Sequence, residues 1–126
     1  GAGKSAMAFA CLSSAWELGW NAALIADDRT CLEIREGRCV ASCPDPIRGM
    51  IELRGGGIAR YGRIRRGVIH LVVAPVPASA AGRLPESSET FSCNGIELPL
   101  QRLWHDSAVD PLSALRALRP DCFSVT

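Results

Sequence analysis

Gly1-Ala2-Gly3-Lys4-Ser5-Ala6-Met7-Ala8-Phe9 opens the chain. Its first five residues fit the last five positions of the phosphate-binding loop G-x-x-x-x-G-K-[ST], whose first three positions would lie ahead of residue 1. Glycines in such a loop let backbone N–H groups turn inward around phosphate oxygens, and the following helix presents its positive end to the same anion. Lys4 in that position reaches the β- and γ-phosphates. Ser5 places a hydroxyl on Mg²⁺, a hard cation that keeps most of its waters and takes few protein oxygens. Five residues are a short match, and the plain alternative is a glycine-rich helix start. The next segment favours the loop: residues 5–18 are rich in alanine, with Met7, Phe9, Leu12, Trp16 and Leu18 on or near one face and Gly19 placed as a C-terminal cap, so a helix follows as the motif requires.

Beyond the helix, Ala22-Ala23-Leu24-Ile25-Ala26 is almost wholly apolar and short, the pattern of a central strand buried on both faces. It runs into Asp27-Asp28. Taken alone, Asp27-Asp28-Arg29-Thr30 reads as a polar turn. One helix after a phosphate loop, however, paired carboxylates at a strand's C-terminal end sit where open α/β sheets bind ligands. There they can hold Mg²⁺ or take a proton from an attacking hydroxyl. Residues 30–43 alternate around Glu36-Gly37 and predict a β-hairpin. After Pro44-Asp45-Pro46, Glu52 and Arg54 alternate with Ile51 and Leu53 on a strand that enters Gly55-Gly56-Gly57. An acid and an arginine carried into a glycine turn can be aimed at metal and phosphate, although such residues on a strand are usually just solvated.

The order and content of these three stretches resemble the catalytic domain of the HPr kinase/phosphorylase family. The phosphate loop corresponds to Gly1 through Ser5, the family's ADD strand end to Ala26-Asp27-Asp28, and its E-[IV]-R-G-x-G motif to Glu52-Leu53-Arg54-Gly55-Gly56-Gly57. Gly82-Arg83-Leu84-Pro85-Glu86 is similar to the segment carrying the family's later catalytic arginine. The likeness covers residues 1 to about 100 and looks closest to short forms without the family's N-terminal domain. It implies an α/β P-loop domain of the HPr kinase/phosphoenolpyruvate carboxykinase type, with a mixed sheet, spanning residues 1–126 and lacking the start of its phosphate loop. The implied activity is ATP- and Mg²⁺-dependent phosphorylation of a serine on the phosphocarrier HPr, regulating the phosphotransferase system, with a phosphorylase reaction in reverse. By the same resemblance Gly1, Ala2, Gly3, Lys4 and Ser5 bind nucleotide, and Ser5 and Glu52 are Mg²⁺ ligands. Asp28 is the general base, Asp27 supports its charge and geometry, and Arg83 stabilises the transferred phosphoryl group. A homo-oligomer and a cytoplasmic location are implied with them.

Two departures are visible. Lys4 and Asp27 are 23 positions apart, longer than the family shows, which places an insertion around residues 13–20. The family's P-V-x-x-G-R-N loop, tied to dephosphorylation, should follow Leu98-Pro99-Leu100, where this chain has Gln101-Arg102-Leu103-Trp104-His105-Asp106. The expectation is therefore weighted to the kinase direction. Two readings stay open beside it: a P-loop kinase acting on another substrate, and a non-catalytic nucleotide-binding regulatory module.

Bulk properties fit one globular domain: 126 residues with 48% hydrophobic content can build a sizeable core. A net charge of +1 argues against nucleic-acid binding, which needs a dense basic field. No apolar run approaches the ~20 residues of a membrane span. Six cysteines, at positions 11, 31, 39, 43, 93 and 122, are expected to stay reduced and to pack as small apolar residues. Their spacing does not suit zinc. His70 reads as a satisfied strand histidine within the apolar run 68–73. Arg60, Arg63, Arg65 and Arg66 with Tyr61 form a basic cluster, read as a solvated loop or as a docking surface for an acidic or phosphorylated partner. Residues 78–88 read as a linker. In the tail, Asn94-Gly95 between residues 89–93 and 96–98 is a strong hairpin signal. Asp110-Pro111 opens a helix whose Leu112, Leu115 and Leu118 serve core packing or a neighbouring subunit.

Overall fold

The first helix is closed at its C-terminal end by the geometry its sequence announces. In the computed structural model, which describes residues 3–26, 30–43, 50–53, 57–60, 66–77, 89–105 and 108–123, helix α1 spans Lys4–Glu17. Gly19 follows at φ +81°. Its N–H donates to Trp16 O and that of Trp20 to Ala15 O, the paired bonds of a Schellman cap, which needs a left-handed residue at this position. Met7, Leu12 and Ala15 are the buried residues of α1, whereas Trp16 and Leu18 stand 39% and 50% exposed. The expected apolar stripe is thus narrower than the composition indicates. Trp16 instead folds back so that its indole N–H donates to Ala22 O at 2.8 Å.

The segment after α1 forms no strand among the described residues; Leu24 alone makes a β-bridge. Its apolar side chains are still used inward. Leu24 packs with Leu12, Ala8, Phe9 and Ala22, and Ile25 lies so close to Gly67 that a Cβ there would meet Ile25 Cδ1 at 2.7 Å. The hairpin around Glu36-Gly37 forms as the sequence predicts, from β1 (Cys31–Arg35) and β2 (Arg38–Ser42). Both turn residues have positive φ, 53° and 76°, the sense that matches strand twist in two-residue hairpins. β3 (Met50–Leu53) and β4 (Gly57–Arg60) form a separate antiparallel pair, and β3 runs alongside α1.

The apolar run 68–73, expected as one strand, divides between two sheets. β5 (Arg66–Val68) pairs antiparallel with β2 to complete a β1-β2-β5 sheet, and β6 (Val72–Val76) starts a β6-β8-β7 sheet. His70 falls in the link between them and is exposed, so it is not the strand histidine its apolar neighbours imply. The linker 78–88 and most of the basic cluster lie outside the described residues.

β7 (Thr90–Cys93) and β8 (Ile96–Trp104) meet at Asn94-Gly95, again with positive φ at both positions, 48° and 91°. β8 is longer than its hairpin requires. Its first residues pair antiparallel with β7, but from Leu100 it pairs in parallel with β6, Val72 opposite Leu100 through to Val76 opposite Trp104. The stretch Gln101–Trp104 is therefore a strand in a mixed sheet. Helix α2 (Pro111–Leu118) starts at Asp110, whose carboxylate accepts from the Ser113 N–H and hydroxyl at 3.0 Å each and from the Ser14 hydroxyl at 2.6 Å. Leu112 and Leu115 are buried, and Leu115 packs with Met7 of α1 and Leu103 of β8. The leucine stripe thus serves the core of this chain. Gln101, fully buried, accepts a hydrogen bond from Arg119 Nε, and Arg119 also donates to Leu100 O, which fixes the end of α2 to β8. No helix among the described residues is long and apolar enough to cross a membrane.

Candidate functional site

Parallel strands aim their C-terminal ends at one edge of a sheet, and that edge is where ligands bind in open α/β folds. Here β6 and β8 end together at Val76 and Trp104. The next residue, His105, donates its backbone N–H to Val76 O at 3.0 Å. Its side chain lies against Gly3, the residue that precedes α1. A Cβ added to Gly3 would stand 3.1 Å from both Cβ and Cγ of His105, and Gly3 has φ +90°. Glycine is therefore favoured at this position by backbone conformation, and any side chain there would press on His105.

Gly3 caps α1 without any side-chain hydrogen bond, and no acidic residue stands in the first turn. The first helical bond runs from Met7 N to Gly3 O at 2.9 Å. The N–H groups of Lys4, Ser5 and Ala6 lie ahead of it, at the positive pole of the helix. Lys4 is exposed and lines a cavity of about 330 Å³ together with Met7, Ala8, Cys11, Ala26, Val73, Pro75 and Leu115. Lys4 is the one charged residue of this lining, and the rest are apolar residue types. The Cys11 thiol on its wall is pushed up to about 11, by burial first and then by the Asp110 carboxylate, so it stays protonated at neutral pH.

Ala26 is the residue before Asp27, and it shares this cavity with Lys4. The structure thus brings the end of the 22–26 segment to the start of α1, although the two are far apart in sequence. Of the other sequence-predicted site residues, Gly3, Lys4 and Ser5 are found at the helix start, and Glu52 lies on β3, whose backbone runs beside α1. Gly1, Ala2, Asp27, Asp28 and Arg83 lie outside the described residues. His105 is the neighbour that the sequence did not single out for this place. The signal that could have found it was the parallel pairing of β6 with β8, which sequence periodicity does not encode.

No family model matches the chain, and a search of curated proteins gives no match. Among solved structures, its fold is similar to that of the Hpr(Ser) kinase/phosphatase from Coxiella burnetii, with a TM-score of 0.71 over 98% of this chain and 81% of that one, at 20% sequence identity. At that identity the likeness is one of fold: a mixed α/β arrangement with small sheets and helices, shared over nearly the whole described chain.

Proposed function

We propose that this chain is the catalytic domain of an ATP- and Mg²⁺-dependent serine kinase acting on HPr or an HPr-like phosphocarrier. The observation that carries the reading is the cavity shared by Lys4 and Ala26 at the N-terminus of α1 and the C-terminal edge of the parallel strands. It joins the residue that would hold the β/γ-phosphates to the residue next to Asp27-Asp28. Gly3 supports it as well, because its φ of +90° directly before α1 is a conformation for which a phosphate-binding loop uses glycine. A Hpr(Ser) kinase/phosphatase as fold neighbour is consistent with the reading.

In this reading Gly1, Ala2, Gly3, Lys4 and Ser5 hold the nucleotide phosphates. Ser5 and Glu52 supply oxygens to Mg²⁺, which neutralises charge on the phosphates when bound. Asp28 takes the proton of the attacking serine hydroxyl while Asp27 supports its charge. Arg83 would stabilise charge on the transferred phosphoryl group. Phosphoryl transfer asks the protein for positioning and electrostatics rather than covalent chemistry, and each residue type fits its task.

The direct test mixes the purified protein with γ-labelled ATP, Mg²⁺ and HPr and follows label into HPr. Transfer to a serine of HPr is the expected result. Nucleotide binding without transfer would reduce the chain to a nucleotide-binding module, and transfer to other acceptors but not to HPr would keep the kinase and change its substrate.

A further inference from the structure

Cys39 and Cys93 lie 54 positions apart, yet their sulfurs are 2.8 Å from one another. Both are buried, at 1% and 5% exposure, and they are walled by Leu98, Ile69, Val72 and Ile96. Even carbon atoms pack best at about 3.5–4.0 Å, and sulfur is larger. Two thiols serving only as small apolar groups would therefore stand farther apart than this. A disulfide bond is about 2.05 Å, so less than 1 Å of further approach separates the pair from a covalent link.

The two residues are held differently. Cys39 sits within β2, opposite Ile34 of β1, and its carbonyl accepts from Ile69 N at 2.9 Å. It is fixed from both sides. Cys93 ends β7, directly before the exposed Asn94-Gly95 turn, so the remaining approach falls to a hairpin end rather than to a central strand. The pair also joins two sheets that share no backbone ladder: β2 belongs to β1-β2-β5 and β7 to β6-β8-β7.

We infer that Cys39 and Cys93 form a reversible disulfide that ties these two sheets together when the chain meets an oxidising thiol–disulfide pool. With oxidised glutathione as the oxidant, the Cys93 thiolate attacks one glutathione sulfur, giving a mixed disulfide and releasing one glutathione thiol. The Cys39 thiolate then attacks Cys93 Sγ of that mixed disulfide and releases the second. The two cysteine sulfurs lose two electrons in all, and one glutathione disulfide becomes two thiols. In the reduced chain the Cys39 thiol is raised to about 11, first by its hydrogen bond with Cys93 and then by burial. This inference stands apart from the kinase reading, since the pair lies outside the cavity that holds Lys4.

The test incubates the purified chain in glutathione buffers of increasing oxidation, quenches free thiols, and maps peptides without reduction. The expected result is a cross-link joining the peptide that contains Cys39 to the one that contains Cys93, with the loss of two hydrogens, reversed by dithiothreitol. Closing a loop of this length should raise the thermal midpoint of the oxidised chain by about 10 °C over the reduced one. In Cys39→Ser and Cys93→Ser the shift between oxidised and reduced samples should vanish, while Cys31→Ser keeps it. If a variant fails to fold, the peptide map of the unaltered chain decides alone. Cross-links of Cys39 or Cys93 to any other cysteine, glutathione adducts without closure, or thiols that stay free throughout would each overturn the inference.

Discussion

Gly3 shows how much can depend on the absence of a side chain. Gly3→Ala asks a non-glycine residue to hold φ +90° and puts a methyl 3.1 Å from His105, so it should cost ~1–3 kcal/mol, the range for a strained left-handed residue. Adding His105→Ala removes the ring-side contact at Cγ but leaves the Cβ contact and the backbone strain. The double variant should therefore recover only part of the loss, as read by denaturant midpoints. Full recovery would mean that the contact, not the φ, is what glycine serves here. Lys4, exposed and part of the cavity lining, contributes little to the core. Lys4→Ala should keep its thermal midpoint and lose transfer of label from ATP; unchanged transfer would remove the phosphate-loop assignment. On the same reading Asp28→Asn should lower turnover on HPr ~10²-fold, the usual scale for a lost general base, while calorimetric ATP affinity barely moves. Asp27→Asn should alter both. The opposite split would exchange the two roles.

At the scale of elements, what the sequence declared best was wherever local chemistry decides. The two hairpins expected from the sequence carry two-residue turns with positive φ, at Glu36-Gly37 and Asn94-Gly95, and both helices carry their caps, Gly19 on α1 and Asp110 on α2. These signals act over a few residues and survive any tertiary context. The misreadings are non-local. The run 68–73 looked like one strand because periodicity does not say where a chain leaves one sheet for another. Likewise β8 looked as though it ended at Leu98, because its second half is set by β6, more than twenty residues earlier. Asp110 offers an element-scale measurement. Its carboxyl is held below the usual carboxylate range, chiefly by the Ser14 hydroxyl, with Ser113 adding to it. A depressed folded pKa gives stability that is full above the unfolded value, about 3.9, and is lost as pH falls through the lower folded value. Asp110→Ala should therefore be less stable by ~1 kcal/mol at pH 7, the typical worth of a helix cap. The gap should shrink as the wild type is acidified below about pH 4. A gap that stayed constant with pH would assign the loss to packing rather than to the charged cap.

The molecule as a whole places its candidate site by core packing more than by polar contacts. Met7, Leu103 and Leu115 bring α1, β8 and α2 into one buried cluster, and both Met7 and Leu115 also line the cavity at Lys4. The start of α1 is therefore positioned by the same side chains that hold the domain together. Composition made a core of this kind legible, and the leucine spacing of α2 named two of its members. Which helix would meet which strand was not legible, since it follows from the mixed order β6-β8-β7. Leu115→Ala puts this arrangement to the test. Leu115 is 5% exposed, so truncation should cost ~2–5 kcal/mol by lost burial plus cavity. If the cluster joins the elements into one cooperative unit, the denaturant midpoint falls while the slope m stays as in the wild type. A smaller m, or loss of α2 signal ahead of the main transition, would mean that α2 unfolds on its own and that the site at Lys4 is held by the remaining elements without it.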